Sequence, residues 1–290
     1  MATPDFRFKR FTIRHDRSAM KVGTDGVLLG AWAGNLTPLT PHLSPHTSHL
    51  TPLTSHLSPH TSHLTPHTSH LTPHTSHLSP HTSHLSPLTS HLTPQRCLDI
   101  GTGTGLIALM LAQRFPTAKI EGIDIDTASI NQAKENVENS VFKDQITLKE
   151  QDFSDIDSFS NQYDLIVSNP PFYTEDTLGG NQARDRARHA TSLPFETLVS
   201  NVAKLLVNDG LFSVIIPYQS AADFISICVV NRLYLTRRVN IRSTARKPFN
   251  RVLLEFSTSI QPSETSTLTL YDSNNNRSPE YTQLTNDFYL

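Results

Sequence analysis

The stretch RCLDIGTGTGLIALMLAQRF, residues 96–115, decides the fold. Arg96 to Ile100 is a short buried-strand pattern, Gly101-Thr102-Gly103-Thr104-Gly105 is a glycine-rich turn, and Leu106 to Phe115 is an apolar helix. Strand, turn and helix in that order form the first unit of a sheet whose strands are joined by helices. In such sheets ligands sit outside the carboxyl ends of the strands, where this turn falls.

Working outward, the rhythm repeats. Lys119 to Ile125 reads as a second strand ending in Asp124, and Thr127 to Val141 as a polar, amphipathic helix capped by Asp126 or Thr127. Ile146 to Glu150 is a third strand leading to Asp152, and Tyr163 to Ser168 a fourth. Leu193 to Val207 follows as a helix stopped by Asn208-Asp209-Gly210, then a fifth strand, Leu211 to Ile216, and a helix near Ala221 to Asn231. Leu233 to Arg242 and Arg251 to Ser257 complete a doubly wound, mostly parallel sheet of seven predicted strands. Past Ile260 the chain is polar, with weak strand signals around Leu268 to Tyr271. On the amino-terminal side, Phe6, Phe8, Phe11 and Ile13 alternate as a strand. Lys21 to Gly26 is a loop entering the apolar helix Val27 to Trp32, with Thr24 or Asp25 as its N-cap.

Between these parts, residues 36–94 repeat a seven-residue unit without a single charge. A proline in every repeat rules out a coiled coil, and the lack of glycine corners and large apolar side chains argues against a solenoid. The segment is expected to be a disordered low-complexity insertion before the first core strand. Thirteen of the 15 histidines lie in it. Imidazoles suit zinc, nickel or copper, but a near-perfect tandem repeat offers no shaped site, and no metal centre is expected. The predicted organisation is thus an amino-terminal cover segment, 1–35, the insertion, 36–94, and the core, 95–290.

The net charge of −2 excludes nothing by itself. Cys97 and Cys228 have neither metal-like nor disulfide spacing, no signal peptide is evident, and no apolar run reaches bilayer-spanning length. A reducing cytoplasm is the expected location, with no membrane association and no obligate protein partner.

Two features carry chemistry. The first is the glycine turn with Asp99 just before it, Asp124 at the end of the next strand and Asp152 after the one beyond. Gly-x-Gly-x-Gly lacks the longer dinucleotide fingerprint and there is no Gly-Lys-Ser/Thr. Carboxylates at successive strand ends suit a ribose diol and an adenine amine and would repel a pyrophosphate, which favours a cationic nucleoside over NAD. The second is Asn169-Pro170-Pro171-Phe172 at the end of the fourth strand. Two prolines remove two backbone donors, so the Asn169 and Pro170 carbonyls lose ladder partners. A carboxamide, a free carbonyl and an aromatic face suit a planar ligand bearing an amino group, such as a nucleobase; a tight turn capped by Asn is the plainer alternative.

Taken together, Leu98 to Gly105, Ile123-Asp124 and Asn169 to Phe172 resemble the class I S-adenosylmethionine-dependent methyltransferases, in the group that modifies amino nitrogens. That resemblance implies a Rossmann-like fold. Phe8 to Trp32 and Arg251 to Phe256 are similar to the bacterial valine tRNA adenine-37 N6-methyltransferases, which implies S-adenosylmethionine as cofactor and tRNA as partner. By the same resemblance Gly101, Gly103 and Gly105 line the cofactor, Asp124 holds its ribose hydroxyls, Asp152 its adenine amine, Phe153 packs on the adenine, and Thr24 lies near the methionine end. The long insertion departs from the family, whose members have a short loop there. In the implied reaction the Asn169 side-chain oxygen and the Pro170 carbonyl accept the two amine hydrogens of an unstacked base, with Pro171 rigidifying the loop and Phe172 stacking on the base.

Basic residues are placed to meet RNA. Arg232, Arg237, Arg238, Arg242, Arg246, Lys247 and Arg251 follow one another between Phe224 and Leu254 with no acid among them, and Arg184, Arg186, Arg188 and His189 follow the tetrad. Arg184, Arg188, Arg246 and Lys247 are the candidate phosphate contacts. Guanine N2 and protein glutamine are alternative amino-nitrogen substrates, and a non-catalytic RNA- or metal-binding protein is the alternative of another class.

Overall fold

The computed structural model describes residues 5–18, 22–34, 93–155, 162–171 and 193–290. The repeat segment and three predicted site residues, Phe172, Arg184 and Arg188, lie outside the described residues. In chain order the elements are β1 (Phe6–Arg7), β2 (Thr12–Ile13), α1 (Thr24–Trp32), β3 (Arg96–Ile100), α2 (Leu106–Arg114), β4 (Lys119–Asp124), α3 (Thr127–Glu138), β5 (Ile146–Glu150) and β6 (Tyr163–Ser168). They continue with α4 (Phe195–Leu205), β7 (Leu206–Pro217), α5 (Ala221–Val230), β8 (Tyr234–Thr244), β9 (Arg251–Ser257), β10 (Glu264–Tyr271) and α6 (Pro279–Thr285).

The main sheet has the order β10-β8-β9-β7-β6-β3-β4-β5, and only β9 runs against the others. Side chains on its two faces build two apolar cores. One joins Leu28, Leu109, Leu111 and Val137 to Ile215 and Leu253; the other joins Leu198, Val202 and Phe224 to Ile166, Val214 and Leu254. Helices on both faces make the sheet doubly wound, as the alternation of strand and helix signals predicts.

Four details differ from the sequence-based expectation. Phe6 to Ile13 is not one strand but a hairpin, with β1 antiparallel to β2 through Phe6↔Ile13 and Phe8 N donating to Phe11 O at 2.9 Å in the turn. The sheet has eight strands, not seven: β10 pairs in parallel with β8 along Glu264↔Arg237 to Tyr271↔Thr244. Its inner face rests on a buried Leu268 and a partly buried Leu270, while Thr265 and Thr267 are exposed, so the local signal is weak and the strand is stabilised by its non-local partner. Asn208-Asp209-Gly210 is not a helix stop but a bulge inside β7, which advances from Leu206 to Leu211 while β6 advances from Tyr163 to Leu165. Asp209 takes φ 62° there. Finally, α1 is capped by Gly23 with no side-chain hydrogen bond. Asp25, an expected cap, instead accepts from Arg251 Nε at 2.8 Å.

α1 and α2 lie close because glycine separates them. A Cβ on Gly26 would stand 3.1 Å from Leu106 Cδ2, and one on Gly30 only 2.7 Å from Met110 Sδ. The matched order of these contacts makes the helices parallel, so both amino termini reach the carboxyl edge of the sheet. At the other end of α1, cations meet the helix carbonyls, as the helix dipole favours. Arg114 Nη1 donates to Gly30 O at 3.0 Å and to Ala33 O at 2.6 Å, and Arg237 Nη2 donates to Trp32 O at 3.1 Å. Glu255, 1% exposed, joins this group to the sheet. Its Oε2 accepts from Gly34 N at 2.9 Å and Ser213 Oγ at 2.7 Å. Arg237 Nε lies 3.0 Å from its Oε1, a charge contact rather than an aligned hydrogen bond.

The described residues that flank the repeat segment are thus pinned, Gly34 on one side and Gln95 on the other. Asp164 Oδ2 accepts from Gln95 N and Arg96 N, both at 2.8 Å, and Gly34, Pro94 and Asp164 line the same small cavity. Removing a buried charge partner leaves Arg237 and Arg114 uncompensated. Glu255→Ala is expected to lower the unfolding free energy by about 3 kcal/mol in a urea titration, with an unchanged m-value.

Candidate active site

The site begins with the backbone of the β3–α2 turn. Gly101, Gly103 and Gly105 have φ of 69°, 55° and 79°, a left-handed region that side chains disfavour. No atom lies within 4 Å of where a Cβ on Gly101 would stand, and at Gly103 only Gly101 O does, at 4.0 Å. The turn therefore keeps open space on its outer side. Gly105 differs, since a Cβ there would meet Ala133 Cβ at 3.3 Å, so its role includes packing α3 against the turn.

Two carboxylates hold the turn in place. Asp99, fully buried, accepts at Oδ2 from Thr102 Oγ1 at 2.7 Å and from Ala108 N at 3.1 Å, while its Oδ1 has no partner. Burial pushes the Asp99 pKa up to about 7, against the lowering effect of those two hydrogen bonds. Asp124 accepts from Gly103 N at Oδ2 and from Asp126 N at Oδ1, each at 2.9 Å. Burial raises its pKa as well. With one donor on each oxygen, the Asp124 carboxylate retains lone pairs for further donors. Beside it Ile125 is apolar yet 52% exposed, a candidate cofactor contact that the sequence reading overlooked; an apolar residue directly after a strand-end acid is the signal that marks it.

Asp152 follows β5 and accepts from Ser154 N at 2.8 Å. Phe153 is buried at 4% exposure, and its carbonyl accepts from Asn201 Nδ2 of α4 at 2.9 Å. The tetrad follows β6, one strand from the turn, and Ser168 Oγ donates to Ile100 O at 3.1 Å across that gap. Asn169 is half-buried, Pro170 buried and Pro171 exposed. Among the described residues no hydrogen bond occupies the Asn169 carboxamide.

Thr24 reaches the same edge by an indirect route. α3 carries a stripe of buried polar residues, Ser129, Gln132 and Asn136. Asn136 Oδ1 accepts from Arg14 N and its Nδ2 donates to Arg14 O and Thr104 O, all at 2.9 Å. Gln132 Oε1 accepts from Arg17 N at 3.2 Å, and Ser129 Oγ lies 3.2 Å from Ser18 Oγ. The incoming chain is thus laced along α3 toward its amino terminus, and α1 then starts at Thr24. Arg246 and Lys247 are exposed in the loop between β8 and β9, on the same edge but separated from the tetrad by β7 and β9. The structure so brings together Asp99, the three glycines, Asp124 and Asn169, with Asp152 one strand further out.

The residues present fit a nucleoside cofactor: open space over Gly101 and Gly103, an Asp99 oxygen without a partner and an Asp124 carboxylate able to accept hydroxyl donors. Neither thiol offers a nucleophile, since burial pushes Cys97 up to about 12 and Cys228 higher. No group of three or more metal-ligating side chains occurs among the described residues.

Comparison with known proteins follows the same line. The family described as "Methyltransferase small domain" matches residues 82–216. Proteins named tRNA1(Val) (adenine(37)-N6)-methyltransferase are 35% identical over 98% of this chain and 93% of their own in Pectobacterium carotovorum, and 36% identical over 100% and 99% in Bacteroides thetaiotaomicron. The chain belongs to this methyltransferase family. A solved structure of a predicted O-methyltransferase from Agrobacterium tumefaciens, 18% identical, covers 66% of this chain and 88% of its own with a TM-score of 0.54, and shares the fold. Full-length similarity to tRNA1(Val) (adenine(37)-N6)-methyltransferases takes in both the strand-end acids and the Asn-Pro-Pro loop of this chain.

Asp99 makes the site sensitive to pH. Between the ordinary carboxylate value of 3.8 and about 7 the folded protein holds a proton that the unfolded chain has lost, so stability falls as pH rises across that window. Asp99→Asn keeps the acceptor toward Ala108 and abolishes this titration. The stability of the native protein relative to that variant is expected to drop by about 3 kcal/mol between pH 4 and pH 7, read from urea unfolding at each pH.

Proposed function

We propose that the protein transfers a methyl group from S-adenosylmethionine to the exocyclic N6 of adenine 37 in valine tRNA. The observation that carries this reading is similarity to relatives of that name over 98% and 100% of the chain, which takes in the turn, the tetrad and the β8–β9 loop together. S-adenosylmethionine supplies the electrophilic methyl group when bound. Asp124 would hold its ribose hydroxyls, the glycines of the turn would let the backbone approach it closely, Asp152 would accept from its adenine amine, Phe153 and Ile125 would pack near the adenine, and Thr24 would border its amino-acid end.

An adenine amine is a weak nucleophile because its lone pair is delocalised into the ring. The Asn169 side-chain oxygen and the Pro170 carbonyl each accept one of its N–H groups, which localises the lone pair and aims it. Pro170 and Pro171 have no N–H to compete for those acceptors, and their fixed φ holds the loop for the reaction. Phe172 stacks on the base. Positioning supplies much of the rate, and the product nitrogen sheds its extra proton afterwards. Unstacking the target costs a few kcal/mol, less in an RNA loop than in a duplex. Arg184, Arg188, Arg246 and Lys247 contact phosphates. A cytoplasmic location belongs to the same reading; the described residues include no helix long and apolar enough to cross a membrane.

Incubation with labelled S-adenosylmethionine and bulk tRNA from a strain lacking the enzyme, followed by nucleoside mass spectrometry, is expected to give N6-methyladenosine. N2-methylguanosine would transfer the assignment to guanine. Asn169→Ala is expected to bind S-adenosylmethionine normally by calorimetry and to lose on the order of 100-fold or more in kcat, as removal of a single transition-state hydrogen-bond partner does. Substitution of Arg246 and Lys247 by Ala should reduce the slope of log affinity against log salt by roughly 1.4, the share of two phosphates on a single strand.

A further inference from the structure

Beside the tetrad lies a cluster that the proposed mechanism leaves unused. Tyr218 follows the last residue of β7 and Phe249 stands two residues before β9. Both residues are only partly buried, and their rings have centroids 5.4 Å apart and planes 35° from parallel. The Arg238 guanidinium lies 5.5 Å from the Tyr218 ring centre and that of Arg242 lies 5.4 Å from Phe249. Tyr218 N also donates to Asn250 O at 3.2 Å, which ties the two loops together.

The two guanidiniums are held by neutral groups. Arg238 Nε donates to Asn240 Oδ1 at 2.8 Å, and Arg242 donates to Thr269 Oγ1 of β10 at 3.0 Å and to Ala245 O at 3.1 Å. Neighbouring Arg237 and Arg251 face Glu255 and Asp25, but among the described residues no carboxylate pairs with Arg238 or Arg242. Their charge therefore remains available at the surface. Register places the cluster on the edge of the sheet from which the reacting loop departs: Ser168, the last residue of β6, pairs with Val214, and β7 runs on only to Pro217 before Tyr218.

Partly buried rings that keep some exposed surface, beside unneutralised and pre-oriented guanidiniums, match a base with its flanking phosphates. We propose that Tyr218 and Phe249 form a stacking platform for the nucleotide next to the target base in a single-stranded RNA segment, with Arg238 and Arg242 taking its phosphates. This rests on the reading of tRNA as substrate and adds where the strand runs. β10 contributes by fixing Arg242 through Thr269.

Steady-state kinetics with tRNA test it. Phe249→Ala should raise the KM for tRNA about tenfold, within the range that loss of one base–aromatic stack produces, with kcat and S-adenosylmethionine affinity unchanged. Phe249→Trp should restore it. An unchanged KM in Phe249→Ala overturns the proposal. If that variant fails to bind S-adenosylmethionine, the double substitution Arg238→Gln and Arg242→Gln decides in its place: a KM raised at least fivefold supports the platform, and a native KM removes it. If the native enzyme methylates no tRNA, the substrate reading fails on its own, and fluorescence anisotropy with a labelled ten-nucleotide single-stranded RNA still settles the platform. Weaker binding by the double variant than by the native protein supports it, and equal binding overturns it.

Discussion

The desolvated carboxylate of Asp99 is the constraint on which the carboxyl edge depends. A turn with three left-handed glycines has little conformational preference of its own and loses much freedom on ordering. Asp99 offsets that loss by fastening both sides of the turn, through the Thr102 hydroxyl on the way out and the Ala108 amide as α2 begins. Asp124 fastens the middle through Gly103. Asp99 is itself strained electrostatically, with its pKa raised to about 7, because the interior that makes its hydrogen bonds strong also disfavours its charge. A carboxylate at this position is therefore both the clasp of the turn and a group that water cannot easily screen.

From that turn the other parts of the site follow by packing. Gly26 and Gly30 bring α1 onto α2, so the start of α1 stands next to the start of α2. The polar stripe of α3 guides the preceding chain to the same place with carboxamides that pair with backbone groups much as a neighbouring strand would. Asn136 belongs to both systems, because it also donates to Thr104 O within the turn. One side chain thus couples the amino-terminal segment to the cofactor edge. The tetrad needs no such coupling, since β6 lies directly beside β3.

What could be read in the sequence was local or strictly positional. Strand, turn and helix at Arg96 to Arg114 are adjacent in the chain, and Asp124 and Asn169 stand at strand ends that periodicity alone locates. What escaped depends on partners far away. Arg14 is 122 residues from Asn136 and Asp25 is 226 residues from Arg251, so an amphipathic pattern could mark α3 without revealing that its polar stripe is buried, and Asp25 looked like a cap. β10 gave only a weak signal, around Leu268 to Tyr271, because its outer face is threonine and its support comes from β8. The bulge at Asn208 to Gly210 shows the converse: residues that favour turns were accommodated inside a strand by extra length against β6.

Gly34 and Gln95 are the two fixed posts that border the repeat segment in the chain. The posts are set by Glu255 and Asp164, side chains of the sheet, so neither depends on what lies between them. A gene that gains or loses whole heptads by slippage changes the sequence between those posts and none of the residues that set them. Repeat number can then drift in the gene without touching a single residue of the sheet or of the carboxyl-edge turn.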